Sequence, residues 1–445
     1  MSKFVKNISF DNNFENFVLN DFDITKCLNT GNFHVELYGI SRVESTLICL
    51  ICKDSYVQQS QRYVENDESM FKDMIFDSSE LNEEFKALCR QSLSIYERMT
   101  EIKPESEGKS RTTEEDYKWG IPKEDARYML PLSCNTNISI TMSGYKFKLF
   151  SLLLYYMSDS ISKDTFQDLS IELYNKNNDL SKPFYKMLKK YGKGSRNPVS
   201  IYFKNEEFLT TPTPCKFYMD DVKLSDLAIG TLMSSSKDPE DTLMKQYSTQ
   251  EDQEKLVLRV AGKGHYSILE QIRFTTDTYC SLTCFHQLIR HRLYDISPIG
   301  FVQLAKSKYN NYVIPNSIKN SKFFREVDDL IAEWSDFIHR AIQLEPRNYC
   351  CLGALLNCQV IPFSLNTNIR ADMEVMKQRL CLNAQWEIRD MMLDRKEYLL
   401  NTQIGFIYKK FAKPNCQTIG CQEGNYAHPL CKESGRCNGK RCKED

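Results

Sequence analysis

The chain has 445 residues, enough for two or three domains, and its 41% hydrophobic and 26% charged residues are typical of a globular protein. The formal net charge of −1 excludes a general attraction to nucleic acid or to a membrane, so any anion-binding site must come from a local cluster of cations. The N-terminus has no apolar stretch of the signal-peptide type, and the longest apolar run, LFSLLLYYM, is too short to span a bilayer. We expect a cytoplasmic protein without a membrane partner.

The first half of the chain predicts a strand followed by a long helix. FHVELYGI, residues 33–40, reads as a strand, and LNEEFKALCRQSLSIYERM, residues 81–99, predicts an amphipathic helix. The apolar face of this helix consists of Leu81, Phe85, Leu88, Ile95 and Met99. A charged loop follows at residues 100–118, and a cluster of glycine and proline at residues 190–217 predicts a domain boundary.

The second half repeats this organisation. LEQIRFTTDTYC predicts a strand, FFREVDDLIAEWSDFIHRAI predicts a second amphipathic helix, and residues 366–393 are strongly helical. LPLSCNTNISITM in the first half and IPFSLNTNIRADM in the second share proline, serine, Asn-Thr-Asn-Ile and a final methionine at the same spacing. We infer a tandem duplication and an α+β fold, in which each half has a small sheet and long helices. The predicted domains are residues 1–200 and 201–410, followed by a cysteine-rich tail at residues 411–445.

A local cationic cluster, Arg290-His291-Arg292, follows directly after an apolar segment. Gln287 lies three residues earlier and would point the same way on a helix. Arginine suits a phosphate or a planar anion, because its guanidinium group donates two parallel hydrogen bonds. On spacing alone, the alternative is a solvated helix end whose cations complement the helix dipole.

Four motifs in the second half carry a family resemblance. GHYSILEQIRF, HQLIRHR, YVIP and NTNIRADM…QRLCLNAQWEIR occur in this order over residues 264–389. Together they resemble the flavin-dependent thymidylate synthases, whose signature contains RHR. The resemblance implies a homotetrameric enzyme that binds FAD and deoxyuridylate (dUMP) where subunits meet.

The resemblance also implies roles for single residues. Gln287 and Arg379 would contact dUMP, and Arg292 and Arg379 are the predicted catalytic residues. His291 is expected to form hydrogen bonds rather than to act as a base, and Glu270 is expected to brace an arginine. The predicted FAD-binding residues are His265, Ser267, Arg290, His291, Arg292, Asn368 and Arg370.

The second half departs from the family pattern where the family binds the nucleotide phosphate. Gly300 and Val302 stand where the family has a serine and an arginine, and Cys358 stands in place of another arginine. The first half supplies these residues as Ser60, Arg62 and Arg127, which we predict to bind the substrate.

The first half in turn lacks the flavin motif. Leu50-Ile51-Cys52 takes the place of RHR, and Lys148 takes the place of Arg379. We therefore expect a division of labour, with the nucleotide phosphate bound by the first half and the flavin by the second. The alternative is that the first half is a decayed copy with a structural role only.

The predicted reaction is the reductive methylation of dUMP to dTMP. In the family, methylenetetrahydrofolate supplies the carbon, NADPH reduces the flavin, and no cysteine nucleophile is needed. A homodimer would form a pseudo-tetramer in which two of four sites are complete. Two alternatives remain open: a C5-methylase of another pyrimidine nucleotide, suggested by the altered loop at residues 293–302, and a non-catalytic nucleotide-binding scaffold.

The tail carries the last chemical signal. Twelve of the 17 cysteines lie scattered in apolar segments, where reduced thiols pack as small hydrophobes, but five fall within the last thirty residues. Such a cluster predicts a zinc knuckle, which could contact nucleic acid or a protein partner. Its predicted ligands are Cys416, Cys421, Cys431 and Cys437. The alternative is a flexible tail with free thiols.

Overall fold

A computed structural model describes most of the chain. The described residues are 3–10, 32–53, 55–59, 68–101, 121–176, 181–204, 215–219, 223–307 and 312–421. Their strands are β1 (Val5–Phe10), β2 (Asn32–Ser41), β3 (Ser55–Gln58), β4 (Asn135–Ser143), β5 (Lys216–Met219), β6 (Arg273–Ser281), β7 (Asp295–Pro298) and β8 (Val360–Asn368).

Helices account for most of the remaining regular structure. Up to residue 262 they are α1 (Arg42–Cys52), α2 (Ser79–Thr100), α3 (Lys123–Ala126), α4 (Gly144–Tyr156), α5 (Lys163–Lys176), α6 (Ser181–Tyr191), α7 (Leu224–Leu232), α8 (Pro239–Gln246) and α9 (Gln250–Gly262). Beyond it they are α10 (Ser267–Glu270), α11 (Leu282–Leu288), α12 (Phe301–Lys306), α13 (Asn316–Lys319), α14 (Phe324–Leu344), α15 (Ile369–Arg379), α16 (Trp386–Leu400), α17 (Gly405–Phe411) and α18 (Asn415–Thr418). Short 3-10 turns include Arg127–Met129 and Tyr349–Ala354.

The strands form two four-stranded sheets of matching order. One sheet has the order β1-β2-β4-β3, with antiparallel pairing throughout, and the other has the order β5-β6-β8-β7. In each sheet a serine-capped helix directly follows the second strand, β2 or β6. The fourth strand in sequence, β4 or β8, is the neighbour of that second strand. The predicted α+β fold with two related halves is confirmed.

The chain folds into two compact units that are interleaved in sequence. The first unit comprises Met1–Thr211, Cys280–Arg290 and Pro298–Ile361, and the second comprises Pro212–Tyr279, His291–Ser297 and Pro362–Asp445. The first unit therefore contains α11, α12 and α14 from the second half of the sequence. The predicted boundaries near residues 200 and 410 describe the repeat and stay a prediction.

The two predicted amphipathic helices pack against each other in the first unit. Phe85 of α2 meets Trp334 and Phe337 of α14, and the Trp334 indole donates a hydrogen bond of 2.9 Å to the Ser92 hydroxyl. Arg98 near the end of α2 pairs with a glutamate near the start of α14, and Arg340 near the end of α14 pairs with Glu84. These pairs show that the helices run antiparallel.

The structure corrects the register of the predicted repeat. Ser143 and Asn368 each end a nine-residue strand and cap the following helix, so they are equivalent positions. Asn-Thr-Asn-Ile begins at the start of β4 but near the end of β8. Matching the two tetrapeptides therefore misaligns the strands by about six residues, an even number, and side chains in a strand alternate between its two faces. An even shift keeps every side chain on its face of the sheet, and therefore the apolar pattern could not detect the error.

Two assignments change with this register. Counted from the helix caps, the counterpart of Arg379 is Leu154 rather than Lys148, and the counterpart of Arg127 is Leu352 rather than Cys358. Both leucines are buried. Each half still lacks the arginine that the other half has.

The helical segment at residues 366–393 is also interrupted. α15 ends at Arg379, and the Gln385 side chain caps α16 by accepting a hydrogen bond from the backbone N–H of Ile388 at 3.3 Å. The segment therefore forms two helices, because a polar cap starts a new one after a short turn.

A buried polar network holds these two helices in the second unit. Asp372 of α15 accepts hydrogen bonds from Arg395 Nε at 2.8 Å, from the Tyr294 hydroxyl at 2.7 Å and from the Tyr408 hydroxyl at 2.8 Å. Arg395 also donates to Thr276 on β6 at 2.5 Å. Burial raises the pKa of both tyrosines, so their hydroxyls stay protonated donors.

The cysteines of the described residues are free thiols, and most are buried. Burial raises the pKa of Cys89 and Cys351 to about 12, so both are protonated at neutral pH and pack as small hydrophobes. No helix in the described part of the chain is both long and apolar enough to cross a membrane.

Candidate functional site

A strand that runs into a serine-capped helix positions the predicted flavin motif. The Ser281 hydroxyl accepts from the backbone N–H of Cys284 at 3.1 Å and starts α11, after which Arg290-His291-Arg292 follows. In the first half, Ser41 starts α1 in the same way. Leu50-Ile51-Cys52 lies as far beyond Ser41 as RHR lies beyond Ser281, which agrees with the predicted equivalence.

In the first unit, Arg290 contacts the strand that leads to the predicted phosphate-binding segment. Its Nη2 donates to Oε1 of Gln58, the last residue of β3, at 3.1 Å. Gln58 Nε2 donates to the Ser45 hydroxyl at 3.0 Å, and the Tyr56 hydroxyl donates to the carbonyl of Ile289 at 3.2 Å. The end of α11 is thus tied to β3 by side chains of the first half.

A second arginine, Arg42, lies beside this contact. It is the first residue of α1, is 4% exposed, and donates from Nη2 to the carbonyl of Gln59 at 3.3 Å. Burial lowers the pKa of Arg42 to about 9, and the positive charges of Arg290 and Arg127 act in the same direction. Arg42, Arg127 and Arg290 are hereafter the arginine cluster.

His286 of α11 faces the same cluster. Its Nε2 lies 2.7 Å from the Thr46 hydroxyl, which itself donates to the carbonyl of Arg42 at 2.7 Å. The Thr46 hydroxyl oxygen therefore accepts a hydrogen bond from the Nε2–H of His286. Burial lowers the pKa of His286 well below its ordinary value, and the charges of Arg42, Arg290 and Arg127 lower it further, so the imidazole is neutral at neutral pH.

The arginine cluster has unsatisfied donors. The Nε atoms of Arg42 and Arg290 are buried and have no hydrogen-bond partner among the residues that the structure describes. A buried donor left unpaired costs about 1–3 kcal/mol, and more when it is charged. A phosphate would supply both the acceptors and the negative charge, so the residues present fit an anionic ligand.

The second unit holds most of the other predicted flavin-binding residues. Arg379, the last residue of α15, donates from Nε to Nε2 of His291 at 2.6 Å. This contact occupies the Nε2 lone pair of His291, so that atom does not accept a proton from a ligand while the contact persists. Arg292 follows as an exposed residue.

The start of α15 presents the remaining residues of this group. The Asn368 side chain caps the helix by accepting from the backbone N–H of Ala371 at 2.9 Å. Arg370 forms an ion pair with Glu270, as predicted for that glutamate, and lies 5.9 Å from the centre of the Tyr266 ring. His265 and Ser267 are exposed at the start of α10.

The departures Gly300 and Val302 are part of the packed structure of the first unit. Gly300 is buried, and a Cβ atom added there would lie 2.9 Å from the carbonyl oxygen of Lys204. Val302 is 5% exposed in α12. A serine at residue 300 would approach this carbonyl too closely, so the residue expected from the family pattern does not fit here.

The other predicted residues are placed as follows. Gln287 is half-buried in α11, and Arg127 lies in a 3-10 turn, where its Nε donates to the carbonyl of Glu124 at 3.1 Å. Ser60 and Arg62 lie outside the described residues, and Gln59 is the last described residue before them.

Two of the four predicted metal ligands fall within the described part of the chain. Cys416 is in α18 and Cys421 lies shortly after it, whereas Cys431 and Cys437 lie outside the described residues. Within the described residues no group of three or more histidine, cysteine, aspartate or glutamate side chains could hold a metal ion.

Sequence reasoning missed Arg42, Gln58 and Thr46. A signal for Arg42 was present, because it is the only cation in the helix RVESTLICLIC and directly follows the serine cap. Gln58 and Thr46 carried no comparable signal, since only the folded chain brings them to Arg290 and His286.

Two separate segments of the chain match one protein family. The family model described as thymidylate synthase complementing protein matches residues 12–154 and 217–399. Together these segments are well over half of the chain.

Individual relatives agree with this match. The flavin-dependent thymidylate synthase of Pyrococcus furiosus is 30% identical over 200 residues, covering 42% of this chain and 80% of that protein. Those of Pyrococcus abyssi and Thermococcus onnurineus are each 30% identical, over 185 and 199 residues, covering 39% and 41% of this chain and 74% and 78% of their own length. Each of these relatives thus aligns with less than half of this chain, as expected if the chain carries the family sequence twice. The chain belongs to the thymidylate synthase complementing protein family and carries the family sequence in tandem.

Proposed function

We propose that this protein is a flavin-dependent thymidylate synthase that converts dUMP to dTMP with methylenetetrahydrofolate and NADPH. The observation that carries the proposal is the arginine cluster. In it, the charges of Arg290 from the RHR motif and of Arg127 from the first half both act on Arg42, and the contacts of Arg290 and Arg42 reach Gln58 and Gln59, the last described residues before Ser60. A decayed, purely structural first half gives no reason for this concentration of positive charge.

The nucleotide would be bound through its phosphate. Arg127, with Ser60 and Arg62, would hold the phosphate by charge-assisted hydrogen bonds. Fixing the phosphate orients the uracil ring, and orientation is the larger part of what a protein contributes to such a transfer. Gln287 and Arg379 are proposed to contact the same nucleotide.

The flavin would be bound by residues of the second half. The proposed contacts are His265, Ser267, Arg290, His291, Arg292, Asn368 and Arg370. Bound FAD, reduced by NADPH, would supply the reducing equivalents for methylation at C5. Arg292 and Arg379 would place fixed positive charge near the reacting groups, and such charge stabilises a developing anion without reorganisation. Arg379 also orients His291 through the 2.6 Å contact.

The assembly is proposed to be a homodimer that acts as a pseudo-tetramer. Gly300 and Val302 support this, because their packing leaves the second half without its own phosphate-binding serine and arginine. Only half of the four potential sites would then be complete.

Purification and assay of the full-length protein test the proposed function. We expect a yellow protein with a flavin spectrum that forms dTMP from dUMP, methylenetetrahydrofolate and NADPH, and that rescues a thymidine-requiring cell. Arg127→Ala should weaken dUMP binding about 10- to 100-fold, the range of one charge-assisted contact, and leave flavin content unchanged. Arg196→Ala, at an exposed arginine far along the sequence from the motifs, serves as the matched control.

Two results would contradict the proposal. A colourless protein that binds dUMP would favour the nucleotide-binding scaffold. A flavoprotein that methylates another pyrimidine nucleotide but not dUMP would favour the alternative substrate.

Zinc in the tail remains a separate proposal, with Cys416, Cys421, Cys431 and Cys437 as ligands. Elemental analysis of the purified protein should find about one zinc per chain if a single knuckle of this kind forms. Absence of stoichiometric zinc would leave a tail of free thiols.

A further inference from the structure

We propose that Arg42 is an additional phosphate-binding residue, which contacts the phosphate of the substrate nucleotide together with Arg127. The inference rests on the proposed function, since it names a further residue of the same site. The family motifs do not include this position, and the first half of the chain alone contributes it.

The Arg42 side chain is almost completely buried and lacks a full set of acceptors. It is 4% exposed. Among the described residues, its Nη2 donates to a backbone carbonyl at 3.3 Å and its Nε has no partner. Buried guanidinium groups are normally paired with a carboxylate or phosphate. Within the part of the chain that the structure describes, the Arg42 guanidinium therefore has no anionic partner and suits a bound anion.

The carboxylate nearest in sequence is committed elsewhere. Glu44 lies two residues after Arg42 in α1, but it pairs with the buried Lys72 at 2.8 Å and accepts hydrogen bonds from Ser162 and Thr165. Lys72 and the hydroxyls together satisfy the glutamate. Glu44 is thus not the counter-ion of Arg42.

The position of Arg42 favours the nucleotide phosphate over other anions. Its Nη2 contacts Gln59, the residue directly before Ser60, and the neighbouring Gln58 contacts Arg290. The backbone N–H of Arg42 donates a hydrogen bond of 2.9 Å to the carbonyl of Cys134 in the first half. Arg42 therefore contacts the last described residue before Ser60, which we propose to bind the phosphate.

The second half shows that the fold does not need an arginine here. Leu282 also directly follows a serine cap, Ser281, and is fully buried at the start of α11. An apolar side chain suits this place in the fold, and removing an unpaired buried charge is expected to be neutral or stabilising. We therefore assign the charge of Arg42 to ligand binding.

The substitution Arg42→Leu, which copies the second half, tests the inference. Binding of dUMP and of deoxyuridine, which lacks the phosphate, is measured by calorimetry on the full-length holoprotein. We expect dUMP affinity to fall about 10- to 100-fold, the range of one charge-assisted contact, whereas deoxyuridine affinity and flavin content stay unchanged. Arg42→Lys should recover part of the loss, and Arg90→Leu, at an exposed arginine, is the matched control.

The remaining outcomes separate a failure of this inference from a failure of the proposed function. Unchanged dUMP affinity in Arg42→Leu, or loss of flavin with dUMP binding intact, would show that Arg42 does not bind the substrate phosphate. If the unmodified protein forms no dTMP, the proposed function fails, and inorganic phosphate becomes the probe. Phosphate should then raise the melting temperature of the unmodified protein more than that of Arg42→Leu, and equal shifts would contradict the inference.

Discussion

At the scale of single residues, the charge of Arg42 makes the arginine cluster sensitive to pH. The pKa of Arg42 is about 9 because of burial, with Arg290 and Arg127 adding repulsion. The other titratable groups that act on it are the thiols of Cys134 and Cys49, and burial raises the pKa of Cys134, so that thiol stays neutral in this range. His286 faces the same arginines and is already neutral.

We predict that dUMP affinity falls as pH rises through about 9. A bound phosphate favours the protonated form of Arg42, so the pKa in the complex lies above its value in the free protein. Binding therefore takes up protons above pH 9, and the affinity falls by up to about tenfold per pH unit. Below about pH 6 the phosphate takes up its second proton, which sets the acid limit.

Calorimetry of dUMP binding between pH 7 and about pH 10 checks this prediction, with deoxyuridine as the control for general effects of pH. The variant Arg42→Leu should lose the alkaline decline. If the variant keeps the same decline as the unmodified protein, another group is responsible.

At the scale of helices and strands, Asp372 is the residue on which several elements depend. It joins α15 to Arg395 of α16, to Tyr408 of α17 and to Tyr294. Arg395 is buried, lies 4.9 Å from the centre of the Phe274 ring, and has one side-chain nitrogen without a partner among the described residues. Asp372 is thus the counter-ion of a buried arginine.

We predict that Asp372→Asn destabilises the protein by about 3–5 kcal/mol, because it leaves a buried charge unpaired. Urea unfolding measures the change. Asp241→Asn is the matched control, since Asp241 pairs with Lys245 on the exposed face of α8 and such pairs contribute only about 0.3–0.5 kcal/mol. Similar losses in the two variants would show that the buried network does not stabilise the fold.

Helices were more predictable from sequence than strand register. The apolar spacing of Phe85 and Trp334 identified α2 and α14, because a helix face repeats every three to four residues. The tetrapeptide Asn-Thr-Asn-Ile was a poor guide to β4 and β8, because an even shift leaves the pattern of a strand unchanged.

At the scale of the whole molecule, the duplication predicts an unusual stoichiometry. Gly300 and Val302 stand where we expect phosphate-binding residues in the second half, and Leu50-Ile51-Cys52 stands where we expect the flavin motif in the first. We predict one FAD and one dUMP for each chain, and a particle with twice the mass of the chain.

Three measurements test these numbers. Flavin absorbance relative to protein concentration gives the FAD content, dUMP titration gives the number of nucleotide sites, and light scattering gives the particle mass. Two nucleotides for each chain would show that the second half binds phosphate through residues other than those of the family pattern. A particle of four chains would contradict the pseudo-tetramer.

The sequence by itself determined the family resemblance, the α+β class, the long amphipathic helices and the identity of the motif residues. These are properties of residue type and spacing within one element or one motif, which local physics controls. Only the tertiary structure decided that Arg42 and His286 share the surroundings of Arg290, that Arg379 orients His291, and that Gly300 packs against Lys204. Those relations join residues far apart along the chain, and burial and charge act on a side chain through neighbours in space rather than in sequence.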